Sequence, residues 1–355
     1  MLQTQQAPGG EDEGSPGAGV VLAQGRHGDG SPLPWLVARG KALPLNDFGE
    51  SGLARSGSVS EIVEQWPTTR ASLRALTTRE DTATAILGYG IDVAALELEA
   101  PLAPRQTFCT IGNYRRQVVQ AAEDAGEADG AAERRTAAQA MLRERAVAGD
   151  PYVCLTSSQR VAPPSSTLTL APGIDTLDWE VELAVVLGAT AGPGSAAPGA
   201  ETVAGYCVAK DLTVRSRIVR GDVAALGSDW LQCKGMPGSL PLGPWFVPAW
   251  LVADPSRLRL RLWLNGTVMQ DDTTGDMLFG IERQLHYLTR HTRLQPGDVL
   301  CTGSPAGFGA HYGRYLRAGD EIRAEVTGLG QQRLRCLAPD ARDDLVLHAA
   351  TGVPR

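Results

Sequence analysis

From Asp150 onward, apolar positions fall into short runs with a period near two: TLTLAP, GYCVAKDLTV, LRLRLWLNG, DVLCTG and EIRAEVTG, each bounded by Gly, Pro or Asp. Such alternation predicts β-strands, because successive side chains on a strand point to opposite faces. In the first part of the chain GVVLA, PWLVARG and KALPL predict short strands of a small module over residues 20–104. A helix from Ser58 to about Leu76, capped by Ser58 or Ser60, belongs to the same module. Residues 115–148 are Ala-, Glu- and Arg-rich helix formers interrupted near Gly126 and Gly130, polar enough to form a lid over 115–150. One further helix is expected at LFGIERQLHYLTRH.

This pattern divides the chain into a flexible tail over 1–19, the small N-terminal module over 20–104, a mixed, mostly β domain over 105–340 and a C-terminal tail over 341–355. The first tail is rich in Gly, Pro and acidic residues and has too little apolar surface to order itself. At 355 residues the chain has room for a sizeable core.

Charge narrows the partners. With 33 Lys+Arg against 40 Asp+Glu and no basic block, the chain does not look like a binder of nucleic acid or of an anionic membrane. Apolar runs such as LAVVLG fall far short of the roughly 20 residues that cross a bilayer, and the first residues lack the pattern of a signal peptide. A cytoplasmic location is expected. The six cysteines, Cys109, Cys154, Cys207, Cys233, Cys301 and Cys336, form no CxxC pair and read as buried free thiols.

Candidate chemistry starts at DTLDWEVELAVVLG, where Glu180 and Glu182 project from one face of a strand and Trp179, Val181 and Leu183 from the other. Two parallel carboxylates repel unless a hard cation sits between them; a wet, charged strand face is the plainer alternative. Asp211, at the end of the apolar stretch VAGYCVAKD and followed by Arg215, is placed to supply a third oxygen ligand. Lys234 is a lone cation in a Gly/Pro-rich loop, with an ordinary surface lysine as its alternative. The turn CTGSPAG carries Thr302, Gly303 and Ser304 and has backbone N–H groups that can cradle an anion, unless it is a plain turn.

Together WEVELAVVLG, AGYCVAKDLTVR, KGMPGSLPLGPW, LNGTVMQDDTTGDMLF, LQPGDVLCTGSPAGFG and LRAGDEIRAEVTGLG resemble successive blocks of the fumarylacetoacetate hydrolase superfamily, in that family's order, over roughly residues 105–335. The resemblance implies a rolled β-sheet domain that associates as a homodimer. It implies Glu180, Glu182 and Asp211 as ligands of a divalent metal, Mg²⁺ by default and otherwise Mn²⁺ or Ca²⁺. It implies Lys234 as the active-site lysine, with Tyr114, Arg215, Thr302, Gly303 and Ser304 near a small-molecule substrate. The implied chemistry is chelation of a 2-oxo acid or β-dicarbonyl compound and stabilisation of its enolate.

The sequence departs from its hydrolytic relatives where they carry Asn-Tyr-x-x-His-x-x-Glu. Here the turn reads GNYRRQVVQ, keeping Asn113 and Tyr114 but placing Gln117 and Gln120 at the His and Glu positions. Amides can hydrogen-bond but cannot act as general bases. His311, or Glu123 and Asp124 one turn beyond Gln120, are candidate stand-ins, with solvated surface residues as the alternative. Thr156 and Ser157 stand where relatives show Lys-Pro, so one cationic contact is expected to be lost, with Arg115 and Arg116 as candidate replacements. The expectation is a lyase or isomerase carrying out decarboxylation, dehydration, isomerisation or cyclisation, in a specialised biosynthetic pathway. The alternatives are a C–C bond hydrolase of the acylpyruvate type and a non-catalytic ligand-binding relative.

Overall fold

The computed structural model describes residues 19–339, apart from Ser51 and Ala54, so residues 1–18 and 341–355 of the expected tails lie outside the described residues. The architecture is mixed and mostly β, built on a twelve-stranded sheet and a five-stranded sheet. At the centre of the large sheet runs Val181–Leu187, antiparallel to Val203–Lys210 on one side and to Val299–Cys301 on the other. Leu240–Pro248 follows Val203–Lys210, while Thr107–Ile111 and then Tyr152–Thr156 follow Val299–Cys301.

Every residue of Val181–Leu187 is buried because both faces of the strand are covered. On one face Val181, Leu183 and Val185 meet Leu260, Leu262, Ile322 and Leu334 of the five-stranded sheet. On the other, Ala184 and Val186 share a core with Leu22, Leu36, Ile62, Trp66 and Leu73. Glu182 therefore enters a dry interior rather than a wetted face.

The N-terminal module is not a free-standing sheet. Val21–His27 pairs with Leu33–Ala38 and Leu96–Glu99, and through Leu22 and Phe246 it joins Leu240–Pro248 of the large sheet. Ser58 caps the helix Val59–Glu64 by accepting the Glu61 N–H, whereas the Ser60 hydroxyl accepts the Ala103 N–H. The helical stretch continues as Trp66–Thr78, with Pro67 in its first turn, and then as Glu80–Tyr89. That last helix escapes the periodicity argument because it buries only Thr82 and Ile86.

Helices Arg115–Asp124 and Ala131–Ala148 are separated at Gly130, whose φ of 94° lies in the left-handed region that a right-handed helix cannot continue through. The Arg134 guanidinium donates back to the carbonyls of Ala122 and Glu123, satisfying the open end of the first helix. That first helix has no fully buried residue, but Val118 and Val119 pack partly against Leu142, Leu278 and Phe279, and polar contacts add to that hold.

Candidate active site

Glu180, Glu182 and Asp211 each offer a carboxylate oxygen, and these lie within 4.8 Å of one another. The strands bring them together: Asp211 directly follows Val203–Lys210, and its backbone N–H donates to the Glu180 carbonyl at 2.9 Å. None of the three is a solvated surface acid, for Glu180, Glu182 and Asp211 are 8 %, 2 % and 0 % exposed.

Cations surround two of the three. The Lys234 ammonium donates to Asp211 at 2.5 Å, to Glu180 at 3.0 Å and to the Thr213 hydroxyl at 2.7 Å. An ammonium has three hydrogens, so all of its donors are spent. Burial pushes Lys234 down, but the Asp211 and Glu180 charges outweigh it and hold the group above its usual value. It stays an ammonium at neutral pH. Burial likewise pushes Asp211 up, while Arg160 and Lys234 together hold it well below the usual carboxylate range.

Glu182 differs. The partner it holds is the Gly303 backbone N–H at 2.7 Å, with no cationic side chain in hydrogen-bond reach among the described residues. Burial first, then the Asp211 and Glu180 charges, push its carboxyl well above the usual value. Gly303 is required where it stands: its φ is 98°, and a Cβ there would come within 2.9 Å of the Asn113 Cβ.

Two residues that sequence reasoning missed complete the charge pattern. Arg160 is fully buried; it donates to Asp211, to the Ser239 hydroxyl at 2.9 Å and to the Thr156 hydroxyl at 3.3 Å. A guanidinium thus lies beside Thr156, where the sequence suggests a lost cation. Nothing in PYVCLTSSQR distinguishes that arginine from a surface one. Asp178, also fully buried, accepts from Arg215 at 2.8 Å and from the Gly309 N–H at 2.5 Å, while Arg215 donates to Glu180 at 2.5 Å. In all, Arg160, Lys234 and Arg215 pair with three buried carboxylates, Asp178, Glu180 and Asp211, and the fourth buried carboxyl, Glu182, is left without a cation among the described residues.

Tyr114 is fully buried, and its hydroxyl has no hydrogen-bond partner among the described residues. Burial and the neighbouring Glu182 charge suppress its ionisation, so it remains a donor. The Thr302 hydroxyl donates to the Leu183 carbonyl at 2.9 Å. Ser304 accepts from the Gln270 amide at 2.9 Å, and the other end of that amide accepts the Val181 N–H. Gln270 thereby ties the turn to the carboxylate strand, a link between distant segments that leaves no local pattern.

The helix Arg115–Asp124 lies across the turn. Gln120 accepts the Gly307 N–H at 2.7 Å, and Asp124 lies 2.9 Å from His311 Nδ1. Among the described residues His311 is the one histidine paired with a carboxylate. Arg115 donates to the Asp276 and Met277 carbonyls and Arg116 pairs with Asp272, and both also line a cleft beside Gln120. Beside Gln120 and Ala306 this cleft of about 630 Å³ opens between the two helices, lined in part by Val119, Leu142 and Arg143.

Comparison with known proteins agrees with this fold. The sequence model of the fumarylacetoacetate (FAA) hydrolase C-terminal domain matches residues 106–336. A protein described as a hydrolase from Burkholderia lata is 38 % identical over 187 residues, 52 % of this chain and 64 % of its own length. A similar one from Burkholderia cenocepacia is 37 % identical over 190 residues, 52 % of this chain and 65 % of its own length. The match thus spans somewhat less than two thirds of these relatives. Among solved structures, fumarylacetoacetate hydrolase from Exiguobacterium antarcticum superposes with a TM-score of 0.66 at 22 % identity, covering 90 % of this chain and 100 % of its own. Maleylpyruvate hydrolase from Sphingobium sp. SYK-6, solved with manganese(II) and pyruvate, gives 0.63 at 21 % with the same coverage. A 5-carboxymethyl-2-hydroxymuconate delta-isomerase from Mycobacterium smegmatis gives 0.60 at 23 %, again with that coverage.

Proposed function

This chain belongs to the fumarylacetoacetate (FAA) hydrolase family, and from its site we propose a divalent-cation-dependent enzyme acting on a 2-oxo acid or β-dicarbonyl compound. The observation that carries this reading is the convergence of Glu180, Glu182 and Asp211 with one carboxylate left without a cation. A buried, oxygen-only donor set fits a hard ion such as Mg²⁺, Mn²⁺ or Ca²⁺. Bound there, such an ion would supply Lewis acidity to the substrate's oxygens and offset the charge of its enolate. Once Glu182 has given up its proton, three cationic side chains and four carboxylates with a bound dication would leave the site one positive charge in excess, which suits a ligand carrying a carboxylate. The manganese and pyruvate of the Sphingobium neighbour are consistent with both choices.

The chain's own residues define the rest. Lys234, Arg160 and Arg215 fix the carboxylates and lower the energy of negative charge in a dry site. Tyr114 has a free hydroxyl to donate to a substrate oxygen. The turn Thr302–Gly303–Ser304 borders the same space. Gln117 and Gln120 have no proton to exchange near neutrality, and the Gln120 carbonyl oxygen is occupied by Gly307. Decarboxylation, dehydration, isomerisation or cyclisation therefore fit better than water-dependent C–C cleavage. The cleft beside Gln120 gives room for a substituent larger than a simple acylpyruvate carries.

One observation favours the hydrolytic reading: Asp124 orients His311 through Nδ1, leaving Nε2 free as a base. On that reading His311→Asn abolishes cleavage of an acylpyruvate; on ours the unmodified protein shows no such cleavage.

The enzyme acts as a homodimer in this proposal. Leu155 on the edge strand, with Leu226 and Leu231 nearby in sequence to the adjoining Trp230, are 61 %, 82 % and 75 % exposed and would be covered by a second copy. Sedimentation at micromolar concentration checks this. No helix among the described residues is long and apolar enough to cross a membrane.

Exchange of the pyruvate methyl protons in D₂O, followed by NMR with Mg²⁺ present, tests the enolising site. The proposal expects exchange that is lost in Glu182→Gln and Lys234→Met. Exchange undiminished in both variants contradicts it.

A further inference from the structure

Three cysteines lie side by side across the large sheet. Cys109 is the register partner of Cys154 on the antiparallel edge strand Tyr152–Thr156, and of Cys301 on the parallel strand Val299–Cys301. Residues in register on neighbouring strands share a face. All three belong to one buried cluster, and all are free thiols. Directly opposed residues of an antiparallel pair have Cα atoms about 4.5–5.5 Å apart, inside the range that a disulfide bridges.

The row touches the site. One Arg160 nitrogen, Nη1, lies 3.8 Å from Cys109 Sγ and 3.3 Å from the Thr156 hydroxyl, while Nη2 donates to Asp211 and to the Leu212 carbonyl. The arginine that fixes a candidate cation ligand thus rests on the central thiol of the row. Cys154 is 8 % exposed against 0 % for Cys109 and Cys301, and it sits on the last strand of the sheet, where local opening is easiest. Hydrogen bonds from Cys154 and then Cys301, together with Arg160, hold the Cys109 thiol below its usual value against the opposing effect of burial.

We propose that Cys109 and Cys154 form a peroxide-sensitive thiol–disulfide site whose state is transmitted to Asp211 through Arg160. In the oxidising step the Cys109 sulfur attacks one oxygen of hydrogen peroxide. The O–O bond breaks, the leaving hydroxide takes up the proton of the Cys109 thiol as water, and Cys109 becomes a sulfenic acid. The Cys154 sulfur then attacks that sulfur, its proton leaves with the hydroxyl as the second water, and the S–S bond forms. Two thiols lose two electrons and the peroxide takes them. The bond turns Cys109 Sγ towards Cys154 and away from Arg160. The link to Asp211 rests on the reading of Glu180, Glu182 and Asp211 as cation ligands; the cross-link itself does not.

The test treats the reduced, full-length protein with hydrogen peroxide, maps peptides without reduction and measures Mn²⁺ affinity by calorimetry. The expected result is a Cys109–Cys154 peptide and an affinity lower by about tenfold, the scale of losing a group that orients a ligand, both reversed by dithiothreitol. Cys154→Ser abolishes both changes and Cys301→Ser abolishes neither. Paired protection of Cys109 and Cys154 from alkylation in the oxidised wild type gives the same answer should a variant fail to fold. No such peptide while the circular dichroism is unchanged, or a bond from Cys109 to Cys301 instead, overturns the site. A cross-link with unaltered Mn²⁺ affinity overturns its connection to Asp211. Reduced protein that binds no Mn²⁺ overturns the cation reading and with it that connection, and the peptide map still decides the cross-link.

Discussion

Arg160 donates to Asp211 with both side chains wholly excluded from solvent. Removing one member of a buried ion pair strands the other charge, at a cost of about 3–5 kcal/mol. Arg160→Met is therefore expected to lower unfolding stability by about that amount in urea. Adding Asp211→Asn to it costs less than the two single changes together. Additive losses contradict the pairing.

Lys210 is fully buried, its ammonium nitrogen has no hydrogen-bond partner among the described residues, and burial pushes it down to about 7. Between that value and the ordinary lysine value of about 10.4 the folded protein binds fewer protons than the unfolded chain. Stability then rises with pH across this window and loses that gain as pH falls back through it. Lys210→Met removes the slope and stabilises the protein by about 2 kcal/mol at pH 7. Denaturant titrations at several pH values check both; an unchanged slope counts against the buried amine.

The Glu182 carboxyl titrates in the opposite sense. Its value in the folded, metal-free protein is raised by burial and by Asp211 and Glu180. The folded state therefore holds more protons than the unfolded one above the ordinary glutamate value of about 4.3, and the associated stability is lost as pH rises through the raised value. Cation binding is expected to release a proton and to tighten with pH. Calorimetry in buffers of different ionisation enthalpy reads the proton count, and zero release would contradict it.

Replacing both amides, Gln117→His with Gln120→Glu, restores a base and its orienting carboxylate at the helix that crosses the turn. Glutamate keeps an oxygen for the Gly307 N–H that Gln120 now accepts. Gain of acylpyruvate hydrolysis is the expected outcome in a product assay. Hydrolysis by the unmodified chain would show that the amides are no obstacle.

The strands were legible because alternation is local: Arg259–Leu264 and Glu321–Val326 are the runs LRLRLWL and EIRAEV almost residue for residue. The two acids at the head of VELAVVL read equally well as a wet strand face, and it was the family resemblance that joined Glu180 and Glu182 to Asp211, whose carboxylates do converge in the fold. Arg160, Asp178 and Gln270 were not legible, since a buried polar residue has no sequence signature until its partners from other strands are known. Pairing of Val21–His27 with Leu240–Pro248 was equally hidden, being set by packing between segments over 200 residues apart.

The most direct test of the central claim is titration of the purified protein with Mn²⁺, read by calorimetry and by thermal unfolding. One ion per chain in the wild type is predicted, with a gain of about 2.7 kcal/mol in stability at a hundredfold excess over the dissociation constant. Glu182→Gln is predicted to fold and to lose both effects. Undiminished binding in that variant, or none in the wild type, would contradict a cation held by Glu180, Glu182 and Asp211.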